Sequence, residues 1–177
     1  MEKQISKLRQ KTLSGNDILK FFNGKVKIVL YSDLRKYNNI DQLLNPYGRV
    51  AMLYYREKEP NYYGHWISLI KTNRNTVEVF DPYGTFIDDT LKSINTDFRK
   101  ENYQYTPYLS KLLLEQKKYK VEYNDVPLQE MKQGTNTCGR WAIVRMALRD
   151  VPVEMFQKIF SKKNKGDDLV SLLTKNI

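Results

Sequence analysis

The stretch His65-Trp66-Ile67-Ser68-Leu69-Ile70-Lys71, then Thr72-Asn73-Arg74-Asn75, then Thr76-Val77-Glu78-Val79-Phe80-Asp81 decides how the chain is read. Two runs rich in β-branched, aliphatic and aromatic residues flank four turn-formers, the pattern of a β-hairpin. With Asn73 at the middle of the turn, Ile67 faces Val79, Leu69 faces Val77 and His65 faces Asp81. Side chains alternate along a strand, so all six share one face. Directly opposed residues keep their Cβ atoms about 4.5–5.5 Å apart, within reach of an imidazole–carboxylate hydrogen bond. A slip of one residue would send His65 and Asp81 to opposite faces; the aliphatic pattern favours the first register.

Working outward, Val50 to Tyr55 reads as a strand and Glu57 to Tyr63 as a polar loop. Val26 to Tyr31 is a further strand, and Ile40 to Leu44 a helical turn ended by Asn45-Pro46. The segment up to Phe22 is loosely helical, with a start signal at Ser14-Gly15-Asn16-Asp17 and a stop at Gly24. Downstream, helical patterns cover Asp88 to Arg99 and Pro107 to Gln116, and Tyr119 to Tyr123 is a last strand. Cys138 to Leu148, Pro152 to Phe160 and Asp167 to Leu173 read as helices. The simplest assembly is an α+β fold, a mixed central β-sheet flanked by helices. No repeat or linker interrupts residues 1–177, which predicts a single domain.

A chain of 177 residues can bury a real core without disulfides or metals. Its apolar runs, such as Ile28 to Tyr31, are far too short to span a bilayer. The opening Met1-Glu2-Lys3-Gln4 lacks the apolar core of a secretory signal. The expectation is a soluble intracellular protein with no membrane partner. One Cys cannot form an internal disulfide, and one Cys with one His is too few for structural zinc. The net charge is +10, with basic clusters at Lys117-Lys118-Tyr119-Lys120 and Lys162-Lys163-Asn164-Lys165. Such a surface attracts polyanions, nucleic acid first among them; a solvated basic face without a partner is the plain alternative.

An isolated His–Asp pair is more often structural than catalytic. His65, however, is the only histidine in the chain and so the prime candidate for acid–base work near neutral pH. A carboxylate on one ring nitrogen would fix the tautomer and leave the other nitrogen to act as base. The only cysteine lies in Asn136-Thr137-Cys138-Gly139-Arg140-Trp141, which reads as a helix start capped by Asn136 or Thr137. There the helix dipole favours a thiolate, and the Cys138 amide can bind an oxyanion. The plain alternative is a cysteine buried beneath an apolar face of Ile143, Val144 and Ala147. A second oxyanion donor would precede the cysteine, from Gln129 or Gln133.

Three stretches together, Gly64-His65-Trp66, Val79-Phe80-Asp81-Pro82-Tyr83-Gly84 and Thr137-Cys138-Gly139-Arg140-Trp141, resemble the adenain-like and Ulp-type cysteine peptidases. Within that family the chain looks most similar to the maturation proteases of adenoviruses and of virophage or Polinton-like elements. The similarity covers about Val50 to Met146. It implies Cys138 as nucleophile, His65 as general base and acid, Asp81 as its orienter, and an upstream Gln in the oxyanion hole. The family Gln usually stands six or seven residues before the Cys. Gln129 stands nine before and Gln133 five before; Gln129 is preferred, because a longer loop can bulge while a shorter one must still span the gap. Trp66 is expected beside or over the active site as a substrate contact, or else as a core aromatic opposite Phe80.

The resemblance further implies a protein substrate, a capsid or core precursor cut at Gly-rich sites, inside the virion or the infected cell. It leaves open DNA as a stimulating polyanion, with no cofactor required. Adenain's disulfide-linked activating peptide is not expected, since Cys138 is the sole thiol. Alternatives are a peptidase that removes ubiquitin-like modifiers, an acyltransferase on the same triad, or a basic nucleic-acid-binding module with an inert cysteine.

Overall fold

The computed structural model describes residues 2–56 and 63–177, with the backbone alone at Tyr63. Among the described residues five strands form one sheet in the order β1 (Lys27–Leu30), β2 (Arg49–Arg56), β3 (Tyr63–Asn73), β4 (Thr76–Phe80) and β5 (Lys120–Tyr123). The outer pairs, β1 with β2 and β4 with β5, are parallel, and the inner pairs are antiparallel. Helices cover both faces, so the α+β reading with a mixed sheet holds. Of the polar loop expected over Glu57 to Tyr63, residues 57–62 lie outside the described residues, and Tyr63 already opens β3.

Alternation along the strands sorts the core into two layers. Val50, Met52, Ile67, Leu69, Val77 and Val79 face one way, onto Leu43 of α3 (Ile40–Leu44), Phe98 of α4 (Thr96–Glu101) and Leu112 of α5 (Tyr108–Leu114). Ala51, Trp66, Ile70 and Phe80 face the other way. They meet Ile18 of α2 (Gly15–Phe21), Ile143 of α6 (Cys138–Ala147), Phe156 of α7 (Val153–Ile159) and Val170 of α8 (Gly166–Leu173). An N-terminal helix, α1 (Glu2–Gln10), buries no residue of its own and rests against α8.

The hairpin register differs from the expected one by two residues. Leu69 pairs with Val79 and Lys71 with Val77, because an irregularity between Lys71 and Asn73 lengthens the β3 side of the turn. Ser68, not Trp66, therefore stands opposite Phe80. A shift of two preserves the face of every side chain, so the aliphatic pattern could not distinguish the two registers. The expected helix over Asp88 to Arg99 is broken into a 3-10 turn, Asp89–Ser93, and α4, which Asn95 caps through its side chain. At the chain's start the capping signal is realised: Ser14 and Asp17 exchange side-chain-to-backbone bonds around α2.

Helix α6 is buried on every side from Cys138 to Met146, while Ala147 is exposed, so it has no single apolar face. Arg145 on α6 makes a fully buried bidentate ion pair with Glu78 on β4, at 2.7 Å from Nε and 2.6 Å from Nη2. Two further guanidinium hydrogens go to the carbonyls of Leu148 and Val151. This pair fixes the helix that begins with the cysteine to the strand that ends at the aspartate.

Candidate active site

Asp81 follows the last residue of β4 and opens a tight turn, in which the Gly84 N–H donates to the Asp81 carbonyl at 2.8 Å. Gly84 has φ +68, and a Cβ there would lie 2.6 Å from the Val126–Pro127 backbone, so only glycine fits. The Asn124 amide grips the Asp81 backbone from β5's end, accepting from its N–H at 2.8 Å and donating to its carbonyl at 2.6 Å. The carboxylate is thus aimed by its main chain.

His65 and Asp81 do meet: His65 Nε2 lies 2.8 Å from Asp81 Oδ1. They meet on a diagonal rather than directly across, since β3 and β4 last pair at Ser68 and Phe80. The position opposite His65 in that register is Tyr83, whose ring stacks on the imidazole at 4.3 Å between centroids and 8° between planes. Gly64 lets β2 press close to the histidine; a Cβ there would strike Leu53 Cδ1 at 2.2 Å.

Every acceptor direction of the Asp81 carboxylate is used. Oδ1 takes His65 and the Tyr83 N–H at 2.9 Å, and Oδ2 takes the hydroxyls of Thr85 at 3.1 Å and Thr90 at 2.9 Å. Burial alone would raise the carboxyl's pKa, but His65 and these donors hold it below the ordinary carboxylate value. For His65 burial pushes downward, while the Asp81 charge and hydrogen bond and the nearby Cys138 thiol push upward. The net result is a pKa of about 9. The imidazole therefore carries a proton near neutral pH.

The other ring nitrogen, Nδ1, is buried and has no hydrogen-bond partner among the described residues. With Nε2 occupied by Asp81, it is the nitrogen left for Cys138, whose thiol lies close enough to act on the imidazole. Cys138 is the first residue of α6 and is 6% exposed. Thr137 holds the cap position, but no side chain caps the helix. The Thr137 hydroxyl instead donates to Asp167, and the Asn136 amide donates to the Gln10 carbonyl. The first-turn N–H groups are thereby left without a capping side chain. Gly139 permits close packing, since a Cβ would lie 3.1 Å from Leu13 and 3.2 Å from Trp66.

Trp66 is buried in the core, its indole N–H donating to the Leu13 carbonyl at 3.0 Å. It supports the helix start from beneath, and it neither offers a face to the surface nor stands opposite Phe80. The two glutamines separate clearly. Gln129 is buried; its backbone N–H donates to the Pro82 carbonyl at 2.9 Å and its side-chain Oε1 has no partner among the described residues. Gln133 is exposed, in the turn closed by the Thr135 N–H on the Lys132 carbonyl.

A groove of 440 Å³ passes Tyr83, Thr85 and Thr90 on one wall and Met131, Gln133 and Thr135 on the other. A larger one of 560 Å³ lies on the far side of the same loop, against α1; neither groove is lined by His65 or Cys138. Tyr83, Thr85, Thr90 and Asn124 were not singled out by sequence reasoning. Tyr83 alone left a trace, as the aromatic of the Asp-Pro-Tyr-Gly turn.

Over 177 residues the chain is 37% identical to uncharacterized protein V9 of Sputnik virophage, spanning 97% of this chain and 99% of that protein. The chain belongs to the V9 family. No family model matches the sequence. Among solved structures, the ASFV pS273R protease in its selenomethionine crystal form aligns with this V9-family chain at a TM-score of 0.50. That alignment has 12% identity and covers 92% of this chain and 67% of that one. The fold of this V9-family chain is thus similar to that of a solved protease. Among the described residues no helix is long and apolar enough to cross a membrane.

Proposed function

We propose that this chain is a viral cysteine endopeptidase, one domain in which Cys138 is nucleophile, His65 base and acid, and Asp81 orienter. The carrying observation is the imidazole itself: one nitrogen is bound to a fully satisfied buried carboxylate, and the other is free beside the only thiol. With the thiol's proton already held on His65 Nδ1, the Cys138 sulfur attacks the peptide carbonyl as the nucleophile. The Cys138 amide and the Gln129 side chain receive the oxyanion, with Gln133 the alternative donor. His65 then protonates the leaving amine and afterwards draws a proton from water to release the acyl group.

Substrates on this reading are capsid or core precursors cut at small, Gly-rich sites. A virophage relative and a protease-named structural neighbour support the first part, and a nucleophile that admits little bulk supports the second. Incubating wild type and Cys138→Ala with a capsid precursor tests the proposal. Cleavage by wild type alone is expected, and equal cleavage by both ends it. A parallel panel of C-terminal Gly-Gly conjugates, cut in place of the precursor, would move the assignment to removal of ubiquitin-like modifiers.

A further inference from the structure

Asp167 lies in the first turn of α8, far in sequence from the groups discussed so far, and is 4% exposed. Its carboxylate joins three pieces of the molecule. Oδ1 accepts from the Thr137 hydroxyl and from Trp141 Nε1 at 2.9 Å, and Oδ2 accepts from the Glu130 backbone N–H at 2.9 Å. Thr137 immediately precedes Cys138, Trp141 stands one turn along the same helix, and Glu130 immediately follows Gln129. One side chain from the C-terminal helix therefore ties together the two segments that supply the proposed oxyanion donors.

The depth of α8 makes this attachment firm. A Cβ on Gly166 would lie 2.2 Å from the Phe160 carbonyl and 2.7 Å from the Trp141 ring, so glycine lets the α8 start seat directly against that indole. Thr137 would normally spend its hydroxyl on capping α6, and here spends it on Asp167. The first-turn amides stay clear of a side-chain cap as a consequence.

Resting on the peptidase reading above, we infer that Asp167 is a positioning residue of the oxyanion site. It sets the spacing between the Gln129 loop and the first turn of α6. It touches no reacting atom. Its effect is on how well two donors converge on the developing negative charge, where a displacement of about 1 Å costs on the order of 100-fold in rate.

The test uses Asp167→Asn, whose amide would set an N–H group against one of three donors, and the milder Thr137→Val, which removes one of those donors. On the peptide substrate defined by precursor cleavage, kcat is expected to fall about 10- to 100-fold in Asp167→Asn, and less in Thr137→Val, with KM little changed. Iodoacetamide labelling of Cys138 should persist, because the His65–Asp81 pair is untouched. Combined with Gln129→Ala, neither substitution should lower kcat further, since both act through the same donor.

Amide hydrogen exchange of residues 129–138 should quicken in Asp167→Asn while β3 and β4 stay protected, a readout that needs no substrate. Unchanged exchange, losses that add to that of Gln129→Ala, or loss of Cys138 labelling in both variants would each overturn the inference. A wild type that cleaves nothing would instead overturn the peptidase reading, and with it any catalytic role for Asp167.

Discussion

Tyr83 serves the His65–Asp81 pair twice over: its ring lies flat on the imidazole, and its backbone N–H donates to the same Asp81 oxygen that binds His65. The turn that ends β4 thus both orients the imidazole and shields it, so that His65 is only 1% exposed. An aromatic stack of this kind contributes about 0.5–1.5 kcal/mol beyond simple burial. Tyr83→Ala keeps the backbone bond and removes the stack. It is expected to lower kcat/KM about 3- to 10-fold with Cys138 still labelled by iodoacetamide, as read from steady-state cleavage and thiol alkylation of the same preparation.

The pH dependence of folding follows from the same pair. His65 binds its proton more tightly folded, at about 9, than its ordinary value of 6.5. Its contribution is fully present below about 6.5 and is lost as pH rises through 9. Asp81 is held below 3.8, so its contribution is present above that value and is lost as pH falls through the lowered one. Tm measured across pH 6 to 10 should therefore decline in wild type through the His65 window. In His65→Gln that slope should be absent.

Thr85 and Thr90 fill the Asp81 oxygen that faces away from the histidine. Removing both hydroxyls, as Thr85→Val with Thr90→Val, leaves Oδ2 buried without a donor. A hydrogen bond to the charged form is lost, so the Asp81 pKa rises. The acid limb of the kcat/KM profile should move to higher pH, and stability should fall by about 1–3 kcal/mol in urea unfolding. An acid limb unmoved in the double variant would assign these hydroxyls to the turn alone.

Much of this architecture is written locally in the chain. The strands, the α2 capping box and the helix opening at Cys138 rest on short-range patterns, and each appears where that pattern lies. The His65–Asp81 contact was reached through the wrong register, and parity rescued it, since a two-residue shift moves no side chain to the other face. What the chain could not disclose depends on segments distant in sequence. Thr90 and Asn124 reach Asp81 from nine and 43 residues away, and Asp167 reaches Thr137 across 30. Trp66 looked equally suited to surface and core, and only the approach of Leu13 and Gly139 decides between them.

The Glu78–Arg145 pair carries the last expectation, because it links the strand leading to Asp81 with the helix that begins at Cys138. Both side chains are fully buried, so removing one partner strands the other's charge in the core. Glu78→Leu and Arg145→Met should each cost about 3–5 kcal/mol in urea unfolding. The combination of Glu78→Leu with Arg145→Met removes both charges together, and should cost less than the two single losses added. If it does, and cleavage recovers with stability, the ion pair acts by holding α6 and β4 in register. If the double variant is as stable as wild type yet inactive, the pair instead sets a geometry at Cys138 that hydrophobic packing cannot reproduce.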